Sequence, residues 1–295
     1  MKLTILIISY KSIHKLEKCL STIGSEREII ILENSNNVLI KETIEKKYKN
    51  CKIILNNKNL GYGAAANIGF TNIRSQYAIL LNTDVVINEN QLSNIEKEIS
   101  SCKDDFALAS PIYDDLIDFN KNKDFDKNLN TSELNINSNE SITKVDLIKG
   151  CSLVVNLKKF ENKNVFDNKF FFFFEEIDLC KRMKMMKENI FVFNKIKIIH
   201  EAGGSLDNES NFNYSDFRHW NYYWSRFYYH KKHYGYLFSF IVHFSKLIRF
   251  FLSTIFLFPF SKSKFKKNKS RLTGLFSSMI GIKSSISDKI INKLD

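Results

Sequence analysis

YAILLNTD, residues 77–84, decides the fold, because five apolar residues run directly into three polar ones. A short apolar run that is closed by polar residues is typical of a buried strand. Three similar runs come before it, at Leu3–Ile8, Glu28–Leu32 and Lys52–Leu55, and stretches of helical character separate the runs. Strands that alternate with helices predict an α/β fold with a mostly parallel sheet flanked by helices.

The polar residues that close these runs are the candidates for a binding site. In sheets of this kind, ligands bind beyond the carboxyl ends of the strands. The first run ends at Ser9 and Tyr10, the second at Glu33, and the fourth at Asn82 and Asp84. A carboxylate with neighbouring oxygen donors suits a hard cation, either Mg²⁺ or Mn²⁺, which usually shares its ligands with substrate phosphates.

An acidic cluster follows a run of five phenylalanines, Phe170–Phe174. The cluster consists of Glu175, Glu176 and Asp178, and acidic residues in such a group are favoured at a helix N-terminus. Apolar neighbours also raise the pKa of a carboxyl group, which makes it a useful general base. His200 ends a later strand ahead of a glycine pair, where a histidine is well placed to contact a ligand.

A loop of small residues enters the third helix. It contains Asn59, Gly61, Gly63 and Asn67. Small side chains let the backbone approach a phosphate-bearing ligand, and a helix N-terminus favours the anion. The loop lacks the Lys-Ser/Thr pair of a nucleotide triphosphate-binding loop and the complete dinucleotide fingerprint.

The chain divides by composition at about residue 205. Nearly all of the net charge of +12 lies in residues 206–295, and an anionic partner is therefore expected for that part. Residues 118–144 are dense in Asn, Asp, Lys and Ser, which indicates a loop. The five cysteines form no CxxC pair, which argues against a disulfide framework and against a zinc site. We therefore expect a catalytic domain at 1–205 and a helical region at 206–295.

The helical region contains one membrane candidate, Leu237–Phe260. A charged residue at the bilayer centre costs about 2.5–3.5 kcal/mol. The polar residues of this segment share one face of a helical wheel, namely Ser239, His243, Lys246, Arg249 and Ser253. This pattern favours a helix that lies in the membrane interface, followed by the basic run 262–271. A spanning helix, and a basic helix that packs on the domain, remain alternatives. The basic run has few interleaved aromatic residues, so a nucleic acid partner is not expected.

The order of these motifs resembles family 2 glycosyltransferases, in particular their bacterial rhamnosyltransferase-like branch. The resemblance rests on the strand end Ser9-Tyr10, the Asn-x-Gly-x-Gly loop from Asn59, Leu-Leu-Asn-x-Asp ending at Asp84, Phe-x-x-x-Glu-Glu-x-Asp-Leu-x-x-Arg, and a His before Gly-Gly-x-Ser. It covers residues 3–205. The aromatic helix that follows, which ends in Lys-Lys-His-Tyr-Gly, also resembles that branch.

This resemblance implies a GT-A fold, an inverting mechanism and a role for each motif. Glu176 matches the position of the catalytic base, and Glu175 and Asp178 would shape its surroundings. Asp84 would hold the divalent metal, Mg²⁺ or Mn²⁺, with His200 as a further metal or diphosphate contact. The nucleotide-sugar would lie along Ser9, Tyr10, Glu33, Asn59, Gly61, Gly63, Asn67, Asn82 and Asp84.

The resemblance also implies substrates and a location. The favoured donor is an activated deoxyhexose such as dTDP-rhamnose, and the alternative is a UDP-hexose or a UDP-N-acetylhexosamine. The acceptor would be a lipid-linked saccharide or polysaccharide of the cell envelope. The enzyme would be cytoplasmic and peripheral on the inner face of the bacterial plasma membrane, against its anionic surface.

Two functions of other classes compete with this interpretation. A nucleotidyltransferase also uses a glycine-rich loop and carboxylate-bound Mg²⁺, but it should carry a glycine-rich basic loop after its first strand. Residues Lys11–His14 occupy that place and contain no glycine. A non-catalytic, membrane-recruited protein that binds sugar nucleotides would not need the acidic set and His200.

Overall fold

The computed structural model describes residues 3–113, 140–201, 214–257 and 261–284 of the 295. The chain forms two compact units. As far as they are described, the first unit takes in Met1–Asn59, Ala65–Phe166 and Glu176–Asn208. The second takes in Leu60–Ala64, Asp167–Glu175 and Glu209–Asp295. Two short segments from the N-terminal part of the chain therefore belong with the C-terminal helices, and a domain boundary at residue 205 stays a prediction.

A sheet with helices between its strands forms the first unit. Its strands are β1 (Leu3–Ser9), β2 (Ile29–Glu33), β3 (Cys51–Leu55), β4 (Tyr77–Asn82), β5 (Val85–Val86), β6 (Leu108–Tyr113), β7 (Ile142–Lys144), β8 (Ser152–Asn156) and β9 (Ile190–His200). Its helices are α1 (Ile13–Ile23), α2 (Val38–Lys47), most of α3 (Tyr62–Thr71), α4 (Glu89–Ser101) and all but the first residue of α5 (Glu175–Met185). The α/β class predicted from the sequence is confirmed.

The N-terminal half of the sheet is parallel, as the alternation of strands and helices predicts. Strands β3, β2, β1 and β4 lie side by side in that order, and every pair among them is parallel. All seven residues of β1 and all five of β2 are buried, because helices cover a parallel sheet on both faces. The carboxyl ends of these strands consequently meet at one edge.

The sheet as a whole is mixed, and the prediction of a mostly parallel sheet needs this correction. Strand β8 pairs antiparallel with β4 and with β6, and β9 pairs parallel with β6 but antiparallel with β5 and β7. Antiparallel neighbours need no crossover helix, so the strand–helix alternation that reveals parallel pairs gives no signal for them. Of the polar segment predicted as a loop, residues 142–144 form β7, and residues 118–139 lie outside the described residues.

Three helices form most of the second unit. They are α6 (Tyr214–Tyr234), α7 (Tyr236–Leu257) and α8 (Lys262–Met279), and each contacts the other two. Gly235 ends α6 with a φ of +87°, the left-handed geometry that glycine adopts without strain. The aromatic side chains Trp220, Trp224 and Phe227 of α6 are each at most 7% exposed.

The phenylalanine run packs on α6 within this second unit. Phe170 lies edge-on to Tyr228 with ring centroids 4.9 Å apart, and Phe174 contacts Tyr222 and Tyr229. Ser225 donates a hydrogen bond of 2.9 Å to the carbonyl oxygen of Phe172. The run therefore belongs to the aromatic core of the C-terminal helices.

Candidate active site

Polar side chains from three neighbouring strands meet at the carboxyl edge of the parallel sheet. Ser9 pairs with Glu33 in the β1–β2 register, and Ile8, one residue earlier, pairs with Asn82 in the β1–β4 register. Ser9 and Glu33 are fully buried. The structure thus brings together three of the residues predicted for the nucleotide-sugar site.

Glu33 presents a carboxylate oxygen that the fold does not use. Its Oε1 accepts hydrogen bonds from the backbone N–H of Ser35 (3.1 Å), from the Ser35 hydroxyl and from the backbone N–H of Lys11 (3.4 Å). Its buried Oε2 has no hydrogen-bond partner among the described residues. Since an unsatisfied buried acceptor is costly, this oxygen is suited to accept an N–H from a ligand.

A chain of amides supports the residues next to Glu33. Asn56 donates to the side-chain oxygen of Asn34, and Asn34 donates in turn to that of Asn59, both at 2.9 Å. Asn59 is thereby tied to the end of β2, beside the predicted base-binding position. Sequence reasoning missed Asn34 and Asn56, and the position of Asn34 directly after Glu33 was the only signal for either.

Asp84 and His200 lie together although they are far apart in the sequence. Strand β5 pairs Val85 with His200, and the backbone N–H of Glu201 donates to the carbonyl oxygen of Asp84 at 2.9 Å. The result is a distance of 3.4 Å between Oδ1 of Asp84 and Nε2 of His200. The two residues predicted as metal contacts are therefore neighbours.

The donor atoms around Asp84 fit a cation that shares its coordination with a ligand. Oδ1 of Asp84 and Oδ1 of Asn82 are buried and have no hydrogen bond within the described ranges. Those ranges contain no group of three or more His, Cys, Asp and Glu side chains that could hold a metal by themselves. One carboxylate with an adjacent imidazole fits the pattern of Mg²⁺ and Mn²⁺ sites that substrate phosphates complete.

The negative charge of Asp84 affects the neighbouring thiol of Cys19. Burial, and to a smaller extent the charge of Asp84, raise the pKa of Cys19 to about 12. The thiol of Cys19 lies 4.0 Å from the carbonyl oxygen of Asn82. Cys19 is consequently a neutral, buried side chain beneath the site.

Glu176 lies at the same edge of the sheet, beside Gly150. The backbone N–H of Asn82 donates to the carbonyl oxygen of Cys151 at 3.0 Å, which places the Gly150–Cys151 turn at the end of β4. A Cβ atom added to Gly150 would lie 3.3 Å from Cβ of Glu176 and 3.9 Å from its carboxyl carbon. Gly150 therefore leaves the room that the Glu176 side chain occupies.

The surroundings of Glu176 have a low polarity. Burial raises the pKa of the Glu176 carboxyl above its ordinary value. Burial also raises the pKa of Cys180, one helical turn further along α5, to about 12. A carboxylate in such surroundings is a stronger base than one in water, as the sequence predicts from its apolar neighbours.

Asp178 holds the helix that carries Glu176. Its fully buried carboxylate accepts a hydrogen bond of 2.9 Å from Nε of Arg182, and Arg182 also donates to the carbonyl oxygen of Val165 at 2.5 Å. This arrangement fixes α5 against the chain segment that ends at Phe166.

Asn67 serves the fold. Its side-chain oxygen accepts from the backbone N–H groups of Val165 and Phe166, and its side-chain nitrogen donates to Asn164 and to the carbonyl oxygen of Phe166. These four bonds use the full capacity of an amide side chain. Asn67 therefore fastens residues 164–166 to helix α3, and we do not propose that it binds the donor.

Three further predicted residues lie in the second unit. Gly61 has a φ of +83°, and a Cβ atom there would lie 2.3 Å from the carbonyl oxygen of Phe171, so this close approach requires glycine. Gly63 and Glu175 are buried. Contacts of Gly61 and Gly63 with a diphosphate, and a role for Glu175 beside the base, stay predictions.

The mixed α/β fold of the chain, with polar side chains at the carboxyl edge of its parallel strands, resembles that of GT-A glycosyltransferases. The chain belongs to the family "Glycosyl transferase family 2", whose model matches residues 4–191. It is a glycosyltransferase, and this membership sets aside the nucleotidyltransferase and the non-catalytic binding protein considered above.

One relative and two solved structures illustrate the likeness. The rhamnosyltransferase WbbL of Escherichia coli (strain K12) is 25% identical over 230 residues, which cover 70% of this chain and 86% of WbbL. The mannosyltransferase PcManGT from Pyrobaculum calidifontis, in complex with GDP-Man and Mn²⁺, superposes with a TM-score of 0.57 at 9% identity, over 94% of this chain and 87% of that one. S. aureus TarS 1–349 gives a TM-score of 0.51 at 13% identity, with coverages of 95% and 92%.

Proposed function

We propose that this glycosyltransferase transfers a deoxyhexose, such as rhamnose from dTDP-rhamnose, to a hydroxyl of a cell-envelope glycan precursor with inversion. The observation that carries the proposal is the position of Glu176. It is a half-buried carboxylate with a raised pKa, at the same sheet edge as the Asp84–His200 pair. A base and a cation-binding pair at one edge are what a single displacement on a nucleotide-sugar requires.

In the proposed reaction, the acceptor oxygen attacks the anomeric carbon of the donor. Glu176 takes the proton of the acceptor hydroxyl, a new carbon–oxygen bond forms, and the bond between the sugar and the diphosphate breaks. The nucleoside diphosphate leaves with the electron pair of that bond. The anomeric carbon passes through an oxocarbenium-like state, as in glycoside hydrolysis. General base catalysis by a positioned carboxylate contributes about 10²–10⁴-fold to such a step.

Asp84, with His200 beside it, would hold a divalent cation against the donor diphosphate. A bound Mg²⁺ or Mn²⁺ supplies neutralisation of the negative charge that develops on the leaving diphosphate. Support comes from Oδ1 of Asn82 and Oδ1 of Asp84, which are buried and accept no hydrogen bond within the described ranges. The mannosyltransferase of the same fold, which is in complex with GDP-Man and Mn²⁺, agrees with this assignment.

The donor nucleotide is proposed from the chemistry of Glu33. Thymine, uracil and guanine each carry a ring N–H that can donate to a carboxylate, whereas cytosine has an acceptor nitrogen at the corresponding position. The free oxygen Oε2 of Glu33 therefore favours dTDP-, UDP- or GDP-sugars over CDP-sugars. The similarity to a rhamnosyltransferase favours dTDP-rhamnose among them. A UDP-hexose or UDP-N-acetylhexosamine is the alternative donor.

A screen of nucleotide-sugars tests this proposal. The purified protein is incubated with dTDP-rhamnose, UDP-glucose, UDP-N-acetylglucosamine, GDP-mannose and CMP- or CDP-linked sugars, and release of the nucleotide is measured with Mg²⁺, Mn²⁺ or EDTA. We expect release from dTDP-rhamnose that EDTA abolishes and Mn²⁺ restores. Metal-independent release, or turnover of a cytidine nucleotide donor alone, would contradict the proposed donor and the metal assignment.

Replacing Glu33 with Gln tests base recognition. We expect E33Q to bind dTDP and UDP about tenfold more weakly, because a hydrogen bond to an ionised acceptor is worth about 1.5–3 kcal/mol and a neutral one less. Calorimetric titration with dTDP, UDP and CDP measures the change. Glu42 is exposed on α2, so E42Q is the matched control. Equal losses of affinity for CDP and dTDP would show that Glu33 stabilises the fold and does not recognise the base.

The acceptor is proposed to be a lipid-linked saccharide or polysaccharide at the cytoplasmic face of the plasma membrane. Residues 206–295 carry nearly all of the net positive charge, which favours an anionic membrane surface as a partner. The exposed apolar side chains of α7 agree with such a location. A membrane-bound acceptor also explains why a basic helical region accompanies the catalytic residues.

A further inference from the structure

Helix α7 has a polar side that is buried and an apolar side that is exposed. Ser239 is fully buried and donates to the carbonyl oxygen of Phe227 on α6 at 2.9 Å. His243, 1% exposed, lies with its Nδ1 2.8 Å from the carbonyl oxygen of Ser239 and its ring 5.0 Å from that of His230. Ser239 and His243 thus face α6, whereas an ordinary surface helix turns its apolar side inward.

The opposite side of α7 is a continuous apolar stripe. Its side chains are 43–71% exposed and recur at three- and four-residue intervals, which places them on one face of the helix. We name this stripe the outer face; it consists of Leu237, Ile241, Phe244, Ile248, Phe251, Leu252 and Ile255. Single exposed apolar residues are normal, but a contiguous stripe of seven marks an interaction surface.

Positive charge without any negative charge surrounds the outer face. No Asp or Glu occurs between Asp216 and Asp288. Helix α8, which contacts α7, exposes five lysines in its first two turns, namely Lys262, Lys264, Lys266, Lys267 and Lys269. An apolar stripe beside basic residues matches the acyl region and the anionic headgroups of one membrane leaflet.

We propose that the outer face of α7 inserts into the acyl boundary of an anionic bilayer leaflet, with the lysines of α8 on the headgroups and α7 lying in the plane of the membrane. The proposal specifies the membrane partner of the proposed function. Among the described residues, Tyr236–Phe256 passes the length and hydropathy test for a membrane span. Its buried polar side argues for in-plane insertion, because a span would separate Ser239 from its hydrogen-bond acceptor on α6 and His243 from the ring of His230.

Sedimentation with vesicles tests the apolar part of this surface. The wild-type protein should bind vesicles of phosphatidylglycerol and phosphatidylcholine, and the double variant I241E/I248E should bind at least tenfold more weakly. Leu39 is 68% exposed on α2 and provides the matched control L39E, which should bind like the wild type. Circular dichroism and the melting temperature establish that the variants remain folded, and the single variant I241E serves if the double variant does not fold.

The basic part is tested by removing charge from α8. The variant K264Q/K266Q/K267Q should bind anionic vesicles about a hundredfold more weakly, because each basic residue near an anionic surface contributes about a factor of five. Its binding to pure phosphatidylcholine should hardly change. Three exposed lysines of the first unit, Lys52, Lys97 and Lys103, provide the control triple variant, which should keep its preference for anionic lipid.

Depth of insertion separates an in-plane helix from a span. In the variant F244W, lipids brominated near the headgroup should quench the new tryptophan more strongly than lipids brominated at the chain ends. Stronger quenching at the chain ends would overturn the in-plane arrangement. Binding of I241E/I248E at the wild-type level would overturn the insertion surface.

A second copy of the chain is the competing occupant of the outer face. Ultracentrifugation would then show a wild-type dimer that I241E/I248E converts to a monomer, and this result would also overturn the proposal. Vesicle binding needs no donor and no turnover. A failure of membrane binding is therefore distinguishable from a failure of the proposed reaction, which nucleotide release in the absence of vesicles measures.

Discussion

E176Q should abolish sugar transfer while the donor still binds. The amide has nearly the shape of the carboxylate but cannot accept the proton of the acceptor hydroxyl. We expect kcat to fall by about 10³-fold, within the range for loss of a positioned base. The affinity for the nucleoside diphosphate should stay within about twofold of the wild-type value. Turnover with the acceptor, and calorimetric titration with dTDP or UDP, measure the two quantities separately.

Two comparisons make this result specific to Glu176. Glu161 is exposed in the first unit, and E161Q should therefore transfer sugar at the wild-type rate. Because burial raises the pKa of Glu176 and the base must be ionised, wild-type turnover should rise with pH through that raised pKa. The small residual activity of E176Q should lack this acid limb. Normal turnover of E176Q would remove Glu176 as the base.

D84N should lose the metal dependence of donor binding. The substitution removes the charge that would hold the cation while keeping one oxygen ligand. We expect binding of the nucleoside diphosphate in Mg²⁺ or Mn²⁺ to weaken by about a hundredfold, in keeping with the several kcal/mol that a bound cation contributes. Titration of the diphosphate at several metal concentrations, and again in EDTA, measures the loss.

Titration of the diphosphate in EDTA is the control for this prediction. In EDTA, D84N and the wild type should bind the diphosphate with similar affinity, because neither then holds a cation. Asp104 is exposed, and D104N should titrate with metal as the wild type does. An unchanged metal titration of D84N would count against Asp84 as the metal ligand, whatever its effect on turnover.

The parallel half of the sheet and its polar edge were predictable from the sequence. Local signals are strong there, because each apolar run ends in the polar residues that form the edge. Ser9, Glu33 and Asn82 could therefore be assigned to one site before any contact was known. The helix start at Glu175 was predictable for the same reason.

Contacts between distant segments could not be predicted from these local signals. The pairing of β5 with β9, which brings His200 to Asp84, depends on two short strands far apart in the chain. Strand β8 pairs antiparallel with β4, and such a pair needs no crossover helix whose sequence pattern would reveal the pairing. Asn67 illustrates the opposite case, in which a residue that matches a ligand-binding motif is fully occupied by its contacts with residues 164–166.

The packing of Phe170–Phe174 on α6 affects how the protein can be shortened for expression. A protein that ends at residue 205 would retain these five phenylalanines and lose Tyr222, Tyr228 and Tyr229, which cover them. Large apolar side chains without their cover promote aggregation. Glu176 lies two residues after this run, so the same cut would remove the packing that holds the chain just before the proposed base. The boundary that composition suggests is therefore a poor place to end a soluble fragment.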